Sequence, residues 1–268
     1  MDDMNNWRYL THGGPLPGSL NMAVDEFLFC SLGQDPLTTL RFYQWERPTA
    51  SLGYGQKAVR VVDPEFCKAN GIDIVRRQTG GKLVLHHKEI TYAVVSNDIE
   101  TFTPTLGGSY KRISQALVRG LEKMGLSAVL SEKAPAFYAR GTMPCFSHPA
   151  QDEIEIHGLK IVGSAQKRTG GHFLQHGSIP LEYDEALLKA VSLHQVEGGI
   201  MMTSLGRELG REVDFAWGIA RLKEGLSDFF GVNLQPLVLT DQEWARIREI
   251  EARKYADPRW TFDAIEPA

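Results

Sequence analysis

The sequence predicts an α/β (α+β) domain: a mixed or mostly antiparallel sheet with flanking helices, followed by a helical end. Three observations predict it. Short runs rich in β-branched and aromatic residues, bounded by Gly or Pro, recur between Thr39 and Ile179. One amphipathic stretch, 110–124, interrupts them, with Ile113, Ala116, Leu117, Gly120, Leu121 and Met124 recurring at helical spacing. From Tyr183 onward the pattern turns helical. The chain has 268 residues, 43% hydrophobic and 23% charged, with no low-complexity linker and no internal repeat, so a single domain over 1–268 is expected.

The elements follow in order. Ser19 is placed to cap a helix over 20–31, with Leu20, Val24, Phe27 and Leu28 on its apolar face and Asp25 and Glu26 on the other. Residues 39–45 read as an aromatic strand ended before Pro48. The next strand is broken by Gly53 and Gly55, which mark either a hairpin corner or the close approach of a backbone or ligand. Pro64 and Gly71 bracket a short helix over 63–70. A strand over 72–77 ends in Arg76-Arg77, then Gln78-Thr79-Gly80-Gly81-Lys82 turns the chain into Leu83-Val84-Leu85 and His86. Two glycines allow a tight bend that exposes amide donors, and two arginines offer forked donors for a carbonyl, carboxylate or phosphate. Residues 90–95 form another strand. After the 110–124 helix, which Gly125 ends, come a strand over 127–130, an irregular loop over 132–142, and a hairpin of 153–156 with 159–165 about Gly158. A strand over 172–179 carries His176. Helices are expected over 184–191, over 204–209, from the Asp214 cap, and from an Asp241 cap to Lys254, with the tail of Tyr255 and Trp260-Thr261-Phe262 docking back on the body.

The net charge of −4 argues against a dedicated nucleic-acid binder. The first residues show no basic start followed by an apolar run, and no stretch approaches the ~20 apolar residues that span a bilayer, so a cytoplasmic protein without membrane association is expected. Cys30, Cys67 and Cys145 lack metal-ligand spacing and are expected as thiols, with no metal. Cys30 and Cys67 read as small packed residues. Cys145 stands in a loop bounded by Pro144 and Pro149. It reads either as a nucleophile or as an inert loop thiol. A cysteine is nucleophilic only as thiolate, which a nearby cation favours; Lys160 is the prime candidate, with His86, His148, His157 and His176 as rivals. A thiolate beside a lysine suits acyl transfer from one thioester, through an enzyme thioester, to an amine. Backbone amides over 163–165 are placed to hold an oxyanion, and Leu83 and Val84 to line an acyl site.

These residues resemble the lipoate–protein ligase and octanoyltransferase superfamily. The resemblance rests on Asn21-Met22-Ala23 with Asp25-Glu26; on Leu40-Arg41-Phe42-Tyr43-Gln44-Trp45, Pro48 and Ser51-Leu52-Gly53; and on Arg76-Arg77-Gln78-Thr79-Gly80-Gly81 with Val84 and His86. Gly158-Leu159-Lys160-Ile161-Val162-Gly163-Ser164-Ala165-Gln166, Gln175-His176-Gly177-Ser178, and Tyr255 with Trp260-Thr261-Phe262 extend it over nearly the whole chain. It implies a fold similar to biotin and lipoate ligase catalytic domains and to class II aminoacyl-tRNA synthetases. It implies a bound medium-chain acyl group, with Lys160 at its carbonyl and Arg77, Thr79, Gly80, Gly81, Val84, His86, Gly163, Ser164, Ala165 and His176 around it.

Within the superfamily, Cys145-Phe146 and Pro149 upstream of Glu153 resemble the cysteine loop of the LipM-type octanoyltransferases. Lys82 stands where many ligases have glycine, and the chain leaves little room for the accessory domain of many ligases. His87 departs from the usual aspartate, and Ser147-His148 from the usual pairing after the cysteine. The resemblance implies Cys145 and Lys160 as the catalytic pair and no cofactor. Octanoyl-acyl carrier protein is the implied donor, and an apo lipoyl domain such as glycine-cleavage H protein the acceptor, in a monomeric enzyme. Acidic carriers imply a basic rim, drawn from Lys82, Lys88, Lys167 and Arg168. The alternatives are an ATP- and magnesium-dependent lipoate ligase, an amidotransferase between lipoyl domains, and a non-catalytic acyl- or carrier-binding protein.

Overall fold

The computed structural model describes residues 6–132, 152–193 and 200–266. The chain runs β1 (Asn6–Thr11), α1 (Gly18–Cys30), β2 (Thr38–Tyr43), β3 (Thr49–Leu52), α2 (Pro64–Ala69), β4 (Asp73–Arg76), β5 (Val84–His86), β6 (Glu89–Ser96), α3 (Ile99–Phe102) and α4 (Leu106–Lys123). It continues with β7 (Val129–Leu130), β8 (Ile154–Ile156), β9 (Leu159–Thr169), β10 (His172–Pro180), α5 (Glu185–Val191), α6 (Leu205–Leu209), α7 (Phe215–Phe230), β11 (Asn233–Pro236), α8 (Asp241–Ile250) and α9 (Pro258–Asp263). Among the described residues no helix is long and apolar enough to cross a membrane.

The sheet is mixed, as expected. Among the described residues it has eight strands in the order β11-β1-β2-β6-β10-β9-β8-β7. β11, β1 and β2 run parallel, and β2 to β7 pair antiparallel. A separate sheet β4-β3-β5 carries the glycine-rich turn on its flank. Period-two alternation divides the large sheet between two cores. Leu40, Phe42, Ile90, Tyr92 and Val94 enter the core under α4 and α7. Tyr43, Ala93, Val95 and Leu174 enter the core under α1 and α8. Both faces are covered, so β2 and β6 are buried along their whole length.

Helix caps explain several boundaries. Asp214 accepts the backbone N–H three residues on, as the sequence predicts, and Asp63, Asp184 and Ser204, expected as the first residues of their helices, do the same as caps. Three expectations are corrected. Ser19 does not cap α1; its hydroxyl donates to Glu251 (2.6 Å), tying α1 to the segment after α8. α4 starts at Leu106, because Thr105 caps it on the Gly108 amide (3.1 Å). α8 is capped by Thr240 in a capping box with Glu243, and a π-helical segment over Glu251–Tyr255 follows it. The predicted hairpin turn is observed: His157 and Gly158 take φ of 52° and 77°, the left-handed pair that joins two antiparallel strands tightly. Cys67 is buried as expected, whereas Cys30, at the end of α1, is exposed rather than in the core.

Candidate active site

The site is a narrow cleft between the large sheet and the small one, closed by α1. Its floor follows from register. One cross-strand row runs Tyr43, Thr91, Ser178, Gly163, and the next runs Arg41, Ala93, His176, Ala165. Residues in register share a face, so these point toward the small sheet. Ser51 on β3, Val84 and His86 on β5, and Arg77 just after β4 form the facing wall, with Met22 of α1 and Trp45 completing the lining. Of the residues expected in the acyl site, Arg77, Val84, His86, Gly163, Ser164, Ala165 and His176 lie together here. Ser164 contributes from between the rows, its hydroxyl 2.7 Å from that of Tyr92.

Thr79, Gly80 and Gly81 border the cleft as the rim of its turn. Thr79 meets His176 Nε2 at 2.7 Å. Gly81 adopts φ of 92°. A Cβ on Gly53 would lie 2.1 Å from the Gly81 carbonyl oxygen, so the glycine after β3 is required by the approach of another backbone rather than by a hairpin corner. Arg77 braces this turn: its guanidinium donates to the carbonyls of Gly80 (2.9 Å), Lys82 (2.7 Å) and Ser51 (2.9 Å). Arg76 does the same for the segment after β3, donating to the carbonyls of Gly53, Tyr54 and Gln56. The two arginines read from sequence as ligand forks thus hold backbone.

Two buried carboxylates fix the two cleft histidines. His176 Nδ1 meets Asp25 Oδ2 at 2.9 Å, and Asp25 Oδ1 accepts from Arg41 at 2.6 Å. His86 Nδ1 meets Glu89 at 2.8 Å, and its Nε2 meets Ser51 Oγ at 2.8 Å. Trp45 stacks on His86 with ring centroids 4.1 Å apart. Asp25 and Arg41 are 1% and 0% exposed, so the face of α1 that carries Asp25, opposite its apolar residues, is buried as well. Glu26 is also turned inward, toward Lys254 and Tyr255.

Burial alone would raise the Asp25 and Glu89 carboxyls, but Arg41 and His176 hold Asp25, and His86, Ser178 and Thr91 hold Glu89, below their ordinary values of 3.8 and 4.5. Burial pushes His176 below 6.5 and, with Arg41 nearby, His12 down to about 3. All four shifts have the same sign for stability. The unfolded chain takes up protons before the folded one, first at the histidines as pH falls below 6.5, then at the carboxylates below 4.5. The urea midpoint is therefore expected to fall from pH 7.5 to 5.5 and again toward pH 4; a flat profile contradicts this network.

Lys160 sits on β9, three residues before Gly163, and is fully buried. Its Nζ is 2.7 Å from Glu153, itself 4% exposed. The register slips between Ile154 and Glu155; Lys160 stays opposite Glu155 of β8, and its backbone N–H donates to the Met201 carbonyl (2.9 Å) while its carbonyl accepts from the Thr203 N–H (3.0 Å). Among the described residues the cleft lining does not include Lys160. Cys145 lies outside the described residues, as does its rival His148. His157 is an exposed turn residue. The expected basic rim is only partly a rim. Lys88 pairs with Glu182 at the surface (2.5 Å), Lys167 donates to Gln78 (3.1 Å), and Arg168 ties β9 to the start of α4 through Ser109 (2.9 Å) and the Thr103 and Pro104 carbonyls (both 3.3 Å).

The lipoyl protein ligase A/B catalytic domain model matches residues 17–227, which contain the cleft, both histidine–carboxylate pairs and Lys160. The chain belongs to that family. It is 38% identical to an octanoyltransferase LipM from Kyrpidia tusciae over 275 residues and 36% identical to one from Carboxydothermus hydrogenoformans over 272; each alignment spans 97% of this chain and 99% of the relative. Among solved structures it superposes on lipoate-protein ligase A bound with ATP, with a TM-score of 0.81 at 25% identity, covering 97% of this chain and all of that one. A bipartite lipoate protein ligase from Thermoplasma acidophilum superposes with a TM-score of 0.77 at 23% identity, covering 98% of each chain, and shares the fold.

Proposed function

We propose that this protein is an octanoyltransferase of lipoate biosynthesis, with Cys145 as nucleophile and Lys160 as its proton partner. The observation that carries the reading is the end-to-end match to relatives named octanoyltransferase LipM. The geometry supports it in two ways. The cleft combines an apolar wall of Met22, Val84 and Ala165 with a few fixed polar groups, which suits an acyl chain. Both cleft histidines have their two ring nitrogens engaged by other side chains, which counts against either of them as the partner of a thiolate.

The reaction balances without a cofactor. The Cys145 thiolate attacks the thioester carbonyl of octanoyl-acyl carrier protein while the backbone amides over 163–165 hold the developing oxyanion. The carrier thiolate leaves and takes a proton from the Lys160 ammonium. The acceptor amine, on the lipoyl-domain lysine of a protein such as glycine-cleavage H protein, then attacks the enzyme thioester. Neutral Lys160 receives the amine proton, and Cys145 departs as thiolate, restoring the starting state. Both carriers are cytoplasmic, and the enzyme works there as a monomer.

Intact mass after incubation with octanoyl-acyl carrier protein, without ATP, tests the reading. The expected result is one octanoyl adduct, released by hydroxylamine and missing in Cys145→Ala, which also loses transfer. No adduct, with lipoyl-adenylate formed once lipoate, magnesium and ATP are supplied, overturns it in favour of a ligase.

A further inference from the structure

Lys160 is held by a carboxylate whose own position is set by backbone bonds to Ser131. Glu153 sits where the chain re-enters the described structure. Its carbonyl accepts the Ser131 N–H (2.8 Å), and the Asp152 N–H donates to the Ser131 carbonyl (3.0 Å). These two backbone bonds pin Glu153 to the residue that follows β7. Asp152 takes φ of 61°, a left-handed turn just before Glu153. The Glu153 side chain runs inward to the Lys160 amine. Seven residues later in sequence, Lys160 stands opposite Glu155 of β8 and bonds through its backbone to Met201 and Thr203, so the amine meets a fixed carboxylate from a fixed strand.

The surroundings give this pair its consequence. A buried amine that meets a carboxylate oxygen at 2.7 Å is favoured as its ammonium, because the contact offsets charge taken out of water. The negative charge of Glu153 also reaches Tyr92, whose hydroxyl burial and this charge push up to about 12, so Tyr92 stays a neutral hydroxyl beside Ser164. Resting on the octanoyltransferase reading of Lys160, we infer that Glu153 is its positioning residue: it keeps the amine as an ammonium and aims it. Lys160 then enters the cycle as a proton donor to the departing carrier thiolate. It becomes a base only after that transfer, when it receives the proton of the acceptor amine. Glu153 acts through Lys160, whose amine it contacts, and gains or loses no proton in the cycle.

Charge and space make opposite demands on substitutions here. Glu153→Gln keeps the volume and loses the charge, whereas Glu153→Asp keeps the charge and shortens the reach. Single-turnover formation of the octanoyl adduct is the readout. Glu153→Gln is expected to slow it about 10–100-fold, a part of the roughly 10²–10⁴-fold that a positioned proton donor supplies, with the concentration of carrier giving half-maximal rate changed by less than about threefold. Glu153→Asp is expected to be the faster of the two. Glu153→Gln equal to wild type, or faster than Glu153→Asp, overturns the inference. If Glu153→Gln does not fold, Glu153→Asp decides alone: a rate within about tenfold of wild type upholds the assignment, and a loss as deep as that of Lys160→Met removes it. Acetic anhydride labelling, mapped by peptide mass, reads the pair without an acyl donor. Lys160 should label slowly in wild type and faster in Glu153→Gln, because only the neutral amine reacts. Equal labelling in the two proteins overturns the inference even if wild type forms no octanoyl adduct, an outcome that would instead remove the octanoyltransferase reading.

Discussion

Asp25→Ala is expected to cost about 3–5 kcal/mol of stability, the typical loss when one partner of a buried ion pair is removed. The reason lies in what remains. Arg41, in the middle of β2 and fully buried, donates to Asp25 and also to the Asn21 carbonyl (2.9 Å) and side chain (2.6 Å). Without the carboxylate it is a buried cation with only neutral acceptors. The Tyr43 hydroxyl (3.1 Å) and His176 Nδ1 lose the same acceptor. At about 2–4 °C per kcal/mol for a chain of this order, the melting temperature should fall by roughly 6–20 °C. Asp25→Leu combined with Arg41→Met removes both charges at once and should cost less than Asp25→Ala alone, since no ion is left unpaired. A loss below about 1 kcal/mol for Asp25→Ala would show that the charge is compensated elsewhere. Because His176 is the partner of Thr79 on the glycine-rich turn, the single variant should also weaken acyl transfer in whatever fraction stays folded.

The difference between Asp25 in the sequence and Asp25 in the structure shows what a local pattern can carry. Asp25-Glu26 falls on the face of the helix other than its apolar one, and period alone does not say that this face is buried. The signal for its burial sits elsewhere, in β2. Arg41 stands between Leu40 and Phe42 in a strand whose neighbours on both faces are apolar, and a charge there requires a partner. Glu89, immediately before the apolar run of β6, poses the same question, and His86 answers it. Most helices were legible because their caps are local: Asp63, Asp184, Ser204 and Asp214 each bond within three residues. The edge strand β11 was not legible. Asn-Leu-Gln-Pro has no alternation, and it is a strand because β1 offers it a parallel partner. That Arg77, Val84, His86, Gly163, Ser164, Ala165 and His176 lie together was legible, since the glycine turn and β9 carry distinctive runs. The roles of Arg76 and Arg77 were not, because only the fold shows that the acceptors nearest them are main-chain carbonyls.

Trp260→Ala is expected to cost about 3–5 kcal/mol, the range for emptying a buried aromatic site, and to loosen the cleft from a distance. Trp260 is fully buried on α9. Its indole N–H donates to the Arg76 carbonyl (2.9 Å), and Arg76 Nε donates back to the Trp260 carbonyl (2.9 Å). The same guanidinium gathers the carbonyls of Gly53 (3.0 Å), Tyr54 (2.8 Å) and Gln56 (2.8 Å), so the carboxyl-terminal helix, β4 and the segment under the glycine turn share one buried cation. Arg77, the next residue, braces that turn. Emptying the Trp260 site lets water reach Arg76 and frees the backbone it gathers. The expected readouts are a lower urea midpoint and faster proteolysis near Gly53. Trp260→Phe separates volume from hydrogen bonding: it keeps most of the ring and gives up the indole donor, so about 1–2 kcal/mol should be lost. Near-equal losses for the two variants would assign the effect to the indole hydrogen bond, and a Trp260→Ala protein with wild-type stability would mean that α9 does not hold the cleft.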